Sequence, residues 1–205
     1  MNYVPNMVHD TPTGARYTNP YDMLFKDRII FINDPITTDV AGNITAQMLA
    51  LEASDHGSSI NMYISSPGGD IDGISMVYDC MRFVSSPVTT LGMGSVAGAS
   101  VVLLAAGERG HRFMLPNSRV ILRQPQLSGG SSSSRATDIK IVSDELSRLR
   151  AWTEDILVES SSIPKDAIHG LLEHDTVLTA GDCVSHGIID RVITSGNPRD
   201  MNGEG

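Results

Sequence analysis

Strand-like and helical segments alternate along the first half of the chain. Apolar residues dominate three short β-rich segments, and apolar side chains recur at helical spacing in two longer ones. The strand-like segments are residues 28–33, 60–65 and 88–91, and the helical segments are residues 40–53 and 71–84. Thr38 is the predicted N-cap of the first helix. Alternation of this kind predicts an α/β fold with largely parallel strands, because helices usually connect neighbouring parallel strands.

The second half of the chain continues this pattern less regularly. Residues 99–106 predict a short buried helix, residues 112–122 a turn and another strand, and residues 138–159 a long helix. Trp152 belongs to the apolar stripe of the long helix and is expected to pack in the core or in an interface. Residues 127–135 are rich in glycine and serine, which is typical of a flexible, solvated tip.

The composition limits the classes of function. The 205 residues favour one domain, which we place at residues 21–194, between a mobile polar arm at residues 1–20 and a disordered tail at residues 195–205. A formal net charge of −9 makes nucleic acid and anionic membranes poor candidates as partners. No apolar run approaches the roughly 20 residues of a membrane span, and residues at the N-terminus do not resemble a secretory signal. Cys80 and Cys183 lack the spacing of metal ligands, so we expect no metal or other cofactor and a reducing, cytoplasmic setting.

Two glycine-containing turns are candidates for a functional site. The first is Ser-Pro-Gly-Gly at residues 66–69, and the second is Gly-Ser-Val-Ala-Gly-Ala-Ser at residues 94–100. Glycine allows the backbone to approach a ligand closely, and a helix N-terminus presents unpaired N–H donors. Two converging donors would stabilise the oxyanion that forms in acyl transfer. Two tight turns in an α/β core would give the same sequence pattern.

An ordered series of segments resembles the proteolytic subunit of the Clp protease, ClpP. These segments are residues 63–79, 93–99, 112–125, 136–139, 173–180 and 186–190. The resemblance extends from about residue 7 to residue 192. It implies the ClpP/crotonase-like α/β fold, with repeated β-β-α units and a protruding handle helix within about residues 124–158.

The resemblance places the catalytic triad of the family on residues that cannot perform its chemistry. The nucleophile position falls on Gly98, the histidine position on Arg123 and the acid position on Asp175. The oxyanion hole would be formed by the backbone N–H groups of Gly69 and Ala99. A serine protease needs an Oγ that attacks and an imidazole that accepts its proton, whereas glycine has no side chain and arginine stays protonated.

Other serines and histidines are alternatives for the lost groups. Ser95 and Ser100 lie nearest to the nucleophile position, but two steps along a helix turn a side chain by roughly 200°, which directs Ser100 away. His111 and His174 are the nearest histidines in sequence. His174 adjoins Asp175, and alternate side chains of an extended segment face opposite sides.

Arg123 and Asp175 are expected to form an ion pair, because the resemblance places them where the histidine and aspartate of the family touch. A guanidinium can bind a carboxylate through two parallel hydrogen bonds. We expect this pair to replace the catalytic hydrogen bond as a structural clamp. The alternative is an arginine that extends into solvent.

The resemblance also implies partners. Subunits of the family form seven-membered rings that stack through their handle helices, so we expect a ClpP paralogue in mixed or stacked rings, an AAA+ unfoldase of the ClpX, ClpC or ClpA type, and unfolded polypeptide. Glycine and serine in residues 124–135, and Glu173-His174 in place of an acid–arginine pair, put stacking of this chain on itself in doubt. The positions that match the unfoldase-docking pocket of the family are Leu49, Asn61, Tyr63, Phe83 and Phe113. Core packing would explain the two phenylalanines equally well.

The sequence therefore predicts a non-catalytic ClpP-like, or ClpR-like, subunit that completes a mixed proteolytic barrel with an active paralogue. An active serine endopeptidase subunit with a relocated serine is the alternative. A crotonase-type acyl-CoA enzyme shares the fold and an oxyanion hole, but the Leu-Pro-Asn-Ser-Arg run at residues 115–119 argues against it.

Overall fold

The computed structural model describes residues 7–11, 14–124 and 136–194 of the chain. The strands within these residues are β1 (Met7–Thr11), β2 (Gly14–Thr18), β3 (Ile29–Ile32), β4 (Ile60–Ile64), β5 (Val88–Gly92), β6 (Ser95–Ala97), β7 (Arg112–Met114), β8 (Arg119–Leu122), β9 (Thr176–Thr179) and β10 (Arg191–Val192). The helices are α1 (Pro20–Lys26), α2 (Thr38–Ser54), α3 (Ile71–Phe83), α4 (Ser100–Ala105), α5 (Ala136–Ser160), α6 (Lys165–Glu173) and α7 (Ala180–Ser185).

A five-stranded parallel sheet forms the centre of the fold, which confirms the predicted α/β class. Its strand order is β10-β7-β5-β4-β3. Helix α2 connects β3 to β4, and helix α3 connects β4 to β5, so each crossover returns the chain in the same direction. A second sheet has the order β6-β8-β9, with β6 parallel and β9 antiparallel to β8.

The main core lies between α2 and α3 and one face of the central sheet. The buried side chains that meet there include Ile30, Ile32, Ala41, Ile44, Met48, Leu51, Ile60, Met62, Ile64, Ile74, Val77 and Met81. Every residue of α4 is buried, as predicted for this apolar segment. Trp152 packs against the core and meets Tyr78 edge-on at 5.9 Å between ring centroids, which confirms a packing role.

Several local details differ from the sequence predictions. Thr37, not Thr38, caps α2, because its side-chain oxygen accepts a hydrogen bond from Val40 N at 3.3 Å. The segment 112–122 forms two strands in different sheets, since a turn at Pro116 and Asn117 separates β7 from β8. The short strand β6 was not predicted, because three residues are too few to show alternation.

The terminal and low-complexity predictions have mixed outcomes. No strand was predicted in residues 1–20, but β1 and β2 pair there as an antiparallel hairpin, with Met7 opposite Thr18. Polar strands of this kind lack the apolar pattern on which strand prediction depends. The predicted tip at residues 127–135 and the predicted tail at residues 195–205 lie outside the described residues. None of the helices in the described ranges combines the length and apolar character needed to span a bilayer.

Candidate functional site

The two glycine-containing turns meet beyond the carboxyl ends of β4 and β5. Neighbouring parallel strands end at the same edge of a sheet, so their following loops converge. Ala97 N donates a hydrogen bond to Ser66 O at 2.9 Å, which joins the loops directly. A Cβ added to Gly68 would lie 3.1 Å from Ala97 O and 3.8 Å from Gly98 Cα. Gly68 belongs to the turn predicted as a candidate site, but no separate role was predicted for it.

Gly69 is required by a close backbone approach. A Cβ at this position would lie 2.2 Å from Ile36 O and 2.5 Å from Ile36 N. Among the residues with described positions, the backbone N–H groups of Gly69 and Ala99 donate no hydrogen bond. Neither predicted oxyanion donor is therefore engaged within the described residues; Gly69 is exposed, whereas Ala99 is only 7% exposed. They follow Gly68 and Gly98, and a Cβ built on Gly68 would lie 3.8 Å from Gly98 Cα.

We expect Gly69→Ala to destabilise the fold by about 1–3 kcal/mol, because the added methyl group forces the Ile36 backbone to move. The matched control is Gly42→Ala in α2, where an added Cβ has no heavy atom within 4 Å. That control should stabilise the fold by about 0.5–1 kcal/mol, because alanine is the better helix former. Urea unfolding of both variants measures the difference, and similar stabilities would contradict the steric argument.

Gly98 adopts a left-handed backbone conformation within the second turn, two residues before α4 begins. Its φ is +57°, and its N–H donates to Ile121 O at 2.8 Å. A Cβ built on Gly98 would meet Arg123 Cγ at 3.5 Å, Arg123 Cδ at 3.7 Å and Pro67 O at 3.8 Å. These three are the nearest heavy atoms, so the aliphatic stem of Arg123 covers the position where a side chain would project.

Arg123 and Asp175 lie together at the same site. Arg123 Nη2 is 3.1 Å from Asp175 Oδ2, while 35% of the arginine side chain and 64% of the aspartate side chain are exposed. Arg123 Nε is buried and has no hydrogen-bond partner within the described part of the chain. The pair therefore lacks a two-point contact through Nε. An ion pair this exposed contributes at most about 1 kcal/mol, so it is a weak clamp.

We expect Arg123→Ala to lower the free energy of unfolding by no more than about 1 kcal/mol, because solvent screens the ion pair. The control is Arg123→Met, which keeps an aliphatic stem over Gly98 and removes only the guanidinium. Urea unfolding of both variants separates stem packing from charge. A loss of several kcal/mol in the methionine variant would show that the ion pair is a strong clamp after all.

The neighbouring serines and histidines occupy different places. Ser100 is fully buried, and its Oγ donates to Ala97 O at 2.8 Å, so backbone contacts hold its hydroxyl. Ser95 is half-buried in β6. His174 is exposed at the end of α6 beside Asp175. His111 precedes β7, at the edge of the sheet opposite the two turns.

That opposite edge also contains a cavity of about 620 Å³. Pro87, Glu108 and Arg112 are among its lining residues. These residues lie at or before the first residues of β5 and β7, whereas the two turns follow the ends of β4 and β5. The cavity is therefore separate from the paired turns.

The predicted docking residues fall in two groups. Asn61 and Tyr63 lie on β4, and Phe113 lies two strands away in register with Leu91, so these side chains share the second face of the central sheet. Phe113 is fully buried, with the guanidinium carbon of Arg191 at 5.4 Å from its ring centroid. On the helices, Leu49 of α2 is 42% exposed and Phe83 of α3 is 79% exposed.

Comparison with known proteins gives consistent results over nearly the whole chain. The sequence model of the Clp protease family matches residues 12–196. The chain is 39% identical over 193 residues to ATP-dependent Clp protease proteolytic subunit 1 of Cutibacterium acnes, an alignment that covers 94% of this chain and 89% of the relative. It is 39% identical over 192 residues to proteolytic subunit 2 of Streptomyces coelicolor, with 94% and 87% covered. It is 38% identical over 199 residues to proteolytic subunit 4 of Streptomyces avermitilis, with 97% and 86% covered.

Proposed function

The chain belongs to the Clp protease family, and we propose that it is a non-catalytic subunit that assembles with an active paralogue to shape or regulate a proteolytic barrel. One observation carries this proposal. At the position that the resemblance assigns to the nucleophile, a side chain is absent, and the atoms nearest to its place are the stem of Arg123 and a backbone carbonyl.

The chemistry of this site supports binding rather than peptide-bond cleavage. Gly98 supplies no atom that could attack a carbonyl, and the guanidinium of Arg123 has no lone pair to accept a proton at ordinary pH. The N–H groups of Gly69 and Ala99, which have no acceptor among the described residues, can still bind a carbonyl oxygen. Ser100 is a poor substitute, because its buried hydroxyl is already hydrogen-bonded to Ala97 O.

Membership of the family supports a proposal about partners. We place an active ClpP paralogue in the same ring or in a stacked ring, and an AAA+ unfoldase that delivers unfolded polypeptide. The exposed side chains of Phe83 and Leu49 support a docking role, because a partner that covers them removes apolar surface from water. Asn61 and Tyr63 lie on the other face of the central sheet, so within one chain they form a patch separate from Leu49 and Phe83. Phe113 is fully buried and has a packing role instead. We place the protein in the cytoplasm, where its free cysteines would stay reduced.

Labelling of the purified protein tests the absence of catalysis. We expect no acyl-enzyme or phosphonyl adduct after treatment with a serine-reactive fluorophosphonate, and no turnover of a short fluorogenic peptide, because no activated nucleophile is present. The sample must be free of any sister protease, which intact-mass measurement checks. An adduct on Ser95 or Ser100 would overturn the proposal and favour a relocated serine.

Native mass spectrometry tests the assembly. The protein is measured alone and after co-expression with each ClpP paralogue of its host. Mixed rings or mixed stacked barrels with at least one paralogue support the proposal. A barrel made of this chain alone, with no mixed species in any combination, would contradict it.

A further inference from the structure

Arg123 does not use all of its hydrogen-bonding groups. Its Nη2 lies 3.1 Å from Asp175 Oδ2, but its Nε is buried without an acceptor among the described residues. A buried donor without a partner is unfavourable, but Nε is shielded from solvent, so a ligand would bind the guanidinium through its Nη groups. The Arg123 side chain is 35% exposed. Asp175 is 64% exposed and therefore competes weakly for the guanidinium.

Further donors lie in the turns next to the aliphatic stem of Arg123. The N–H groups of Gly69 and Ala99 have no acceptor within the described chain. Each follows a glycine, and a Cβ built on the first, Gly68, would lie 3.8 Å from the Cα of the second, Gly98. The stem of Arg123 packs over the side-chain position of Gly98, which places the arginine next to the turn that contains Ala99.

We propose that these donors, here called the carboxylate cleft, bind the C-terminal carboxylate of a peptide. The carboxylate cleft consists of the Arg123 guanidinium and the N–H groups of Gly69 and Ala99. A guanidinium fork matches the two oxygens of a carboxylate, and backbone N–H groups add hydrogen bonds to the same anion. This inference rests on the proposed function, because an active partner that hydrolyses peptides in a shared chamber releases fragments with new terminal carboxylates.

Three fluorescein-labelled peptides of one sequence test this inference by fluorescence anisotropy. The first ends in a free carboxylate, the second in an amide, and the third in an aspartate whose own terminus is amidated. We expect the free acid to bind at least about tenfold more tightly than the plain amide, which corresponds to about 1.4 kcal/mol. The aspartate peptide should bind like the plain amide. Equal binding of acid and amide, or no binding at all, would overturn the inference, and acid-like binding of the aspartate peptide would overturn its restriction to the chain terminus.

Two variants should change the preference in opposite directions. Arg123→Met should remove the tenfold preference for the acid, because the charge-assisted hydrogen bonds are lost. Asp175→Asn should increase it, because the carboxylate that competes for Arg123 is replaced by a neutral amide. Circular dichroism checks that both variants are folded, and an Asp175→Asn variant with an unchanged or smaller preference would contradict the competition.

The same sample separates this inference from the proposed function. Fluorophosphonate labelling of the wild-type protein would refute the proposed non-catalytic role. Equal binding of acid and amide peptides by a protein that resists labelling would refute only the inference that the carboxylate cleft binds a C-terminal carboxylate.

Discussion

A protein with both Gly98→Ser and Arg123→His should react with a fluorophosphonate at residue 98, whereas the unaltered protein should not. The imidazole ring of a histidine starts at its Cγ. The Cγ of Arg123 lies 3.5 Å from the position that a Cβ on residue 98 would occupy, so the ring of a histidine at position 123 would start next to the side chain of the new serine. Asp175 is exposed and free to follow the shorter histidine, and the N–H groups of Gly69 and Ala99 remain unpaired among the described residues. Since a positioned general base contributes about 10²–10⁴-fold to rate, we expect at least about 100-fold faster labelling than without the histidine.

The control variants separate the two substitutions. Gly98→Ala with Arg123→His lacks the attacking oxygen and should not label, and Gly98→Ser alone lacks the base and should label at least about 100-fold more slowly. Residue 98 has a φ of +57°, so serine or alanine should each destabilise the fold by about 1–2 kcal/mol. Intact-mass kinetics and thermal unfolding measure both effects. A folded double variant that still resists labelling would show that the rest of the site is not arranged for acyl transfer.

The central sheet could be predicted because its elements have long, regular patterns. The predicted helix at residues 71–84 is observed at Ile71–Phe83, and the predicted strand at residues 60–65 is observed at Ile60–Ile64. The short strand Ser95–Ala97 and the polar hairpin at the N-terminus escaped prediction, because their residues lack a clear apolar period. The first residue of a helix also could not be predicted where two neighbouring residues can both act as the N-cap, as Thr37 and Thr38 can before α2.

The site could be located from the sequence, but its contacts could not. The two glycine turns follow two of the predicted strands, and neighbouring parallel strands end at the same edge of a sheet, which is where the turns meet. The Arg123–Asp175 pair formed as predicted, yet its exposure and the unpaired Nε depend on rotamers that no sequence pattern fixes. Phe113 illustrates the same limit, because Arg191 covers its ring from a strand far away in sequence.

Arg112 and Asp190 form a second arginine–aspartate pair that was not predicted, and it differs from the first in burial. Arg112 Nη2 lies 2.7 Å from Asp190 Oδ1 and its Nε lies 3.0 Å from Oδ2, a two-point contact. The side chain of Arg112 is only 5% exposed, and its Nη1 also donates to carbonyl oxygens of Ala105 and Ser160. The pair therefore connects β7 with the ends of α4 and α5 and with the segment that enters β10.

Removal of Arg112 should destabilise the fold far more than removal of Arg123. Arg112→Met leaves the Asp190 carboxylate partly buried without its cation, so we expect a loss of about 3–5 kcal/mol, measured by urea unfolding. The compensated variant Arg112→Met with Asp190→Leu should recover part of this loss, since no unpaired charge remains. A loss below about 1 kcal/mol for Arg112→Met would be no larger than the loss expected for Arg123→Ala. It would contradict the argument that burial makes the Arg112–Asp190 pair the stronger of the two.

The pH dependence of Asp190→Asn gives an independent test of the same pair. Burial alone would raise the pKa of Asp190, but hydrogen bonds from the Arg112 side chain and from the N–H groups of Arg112 and Gly110 outweigh it and hold the pKa below its ordinary value. A lowered pKa in the folded state means that the charged carboxylate stabilises the fold above the unfolded pKa of about 3.9. This contribution disappears as the pH falls through the lower folded pKa. The stability difference between the wild type and Asp190→Asn, measured by urea unfolding, should therefore be largest near neutral pH and shrink below about pH 4, and a difference that does not change with pH would refute this electrostatic account.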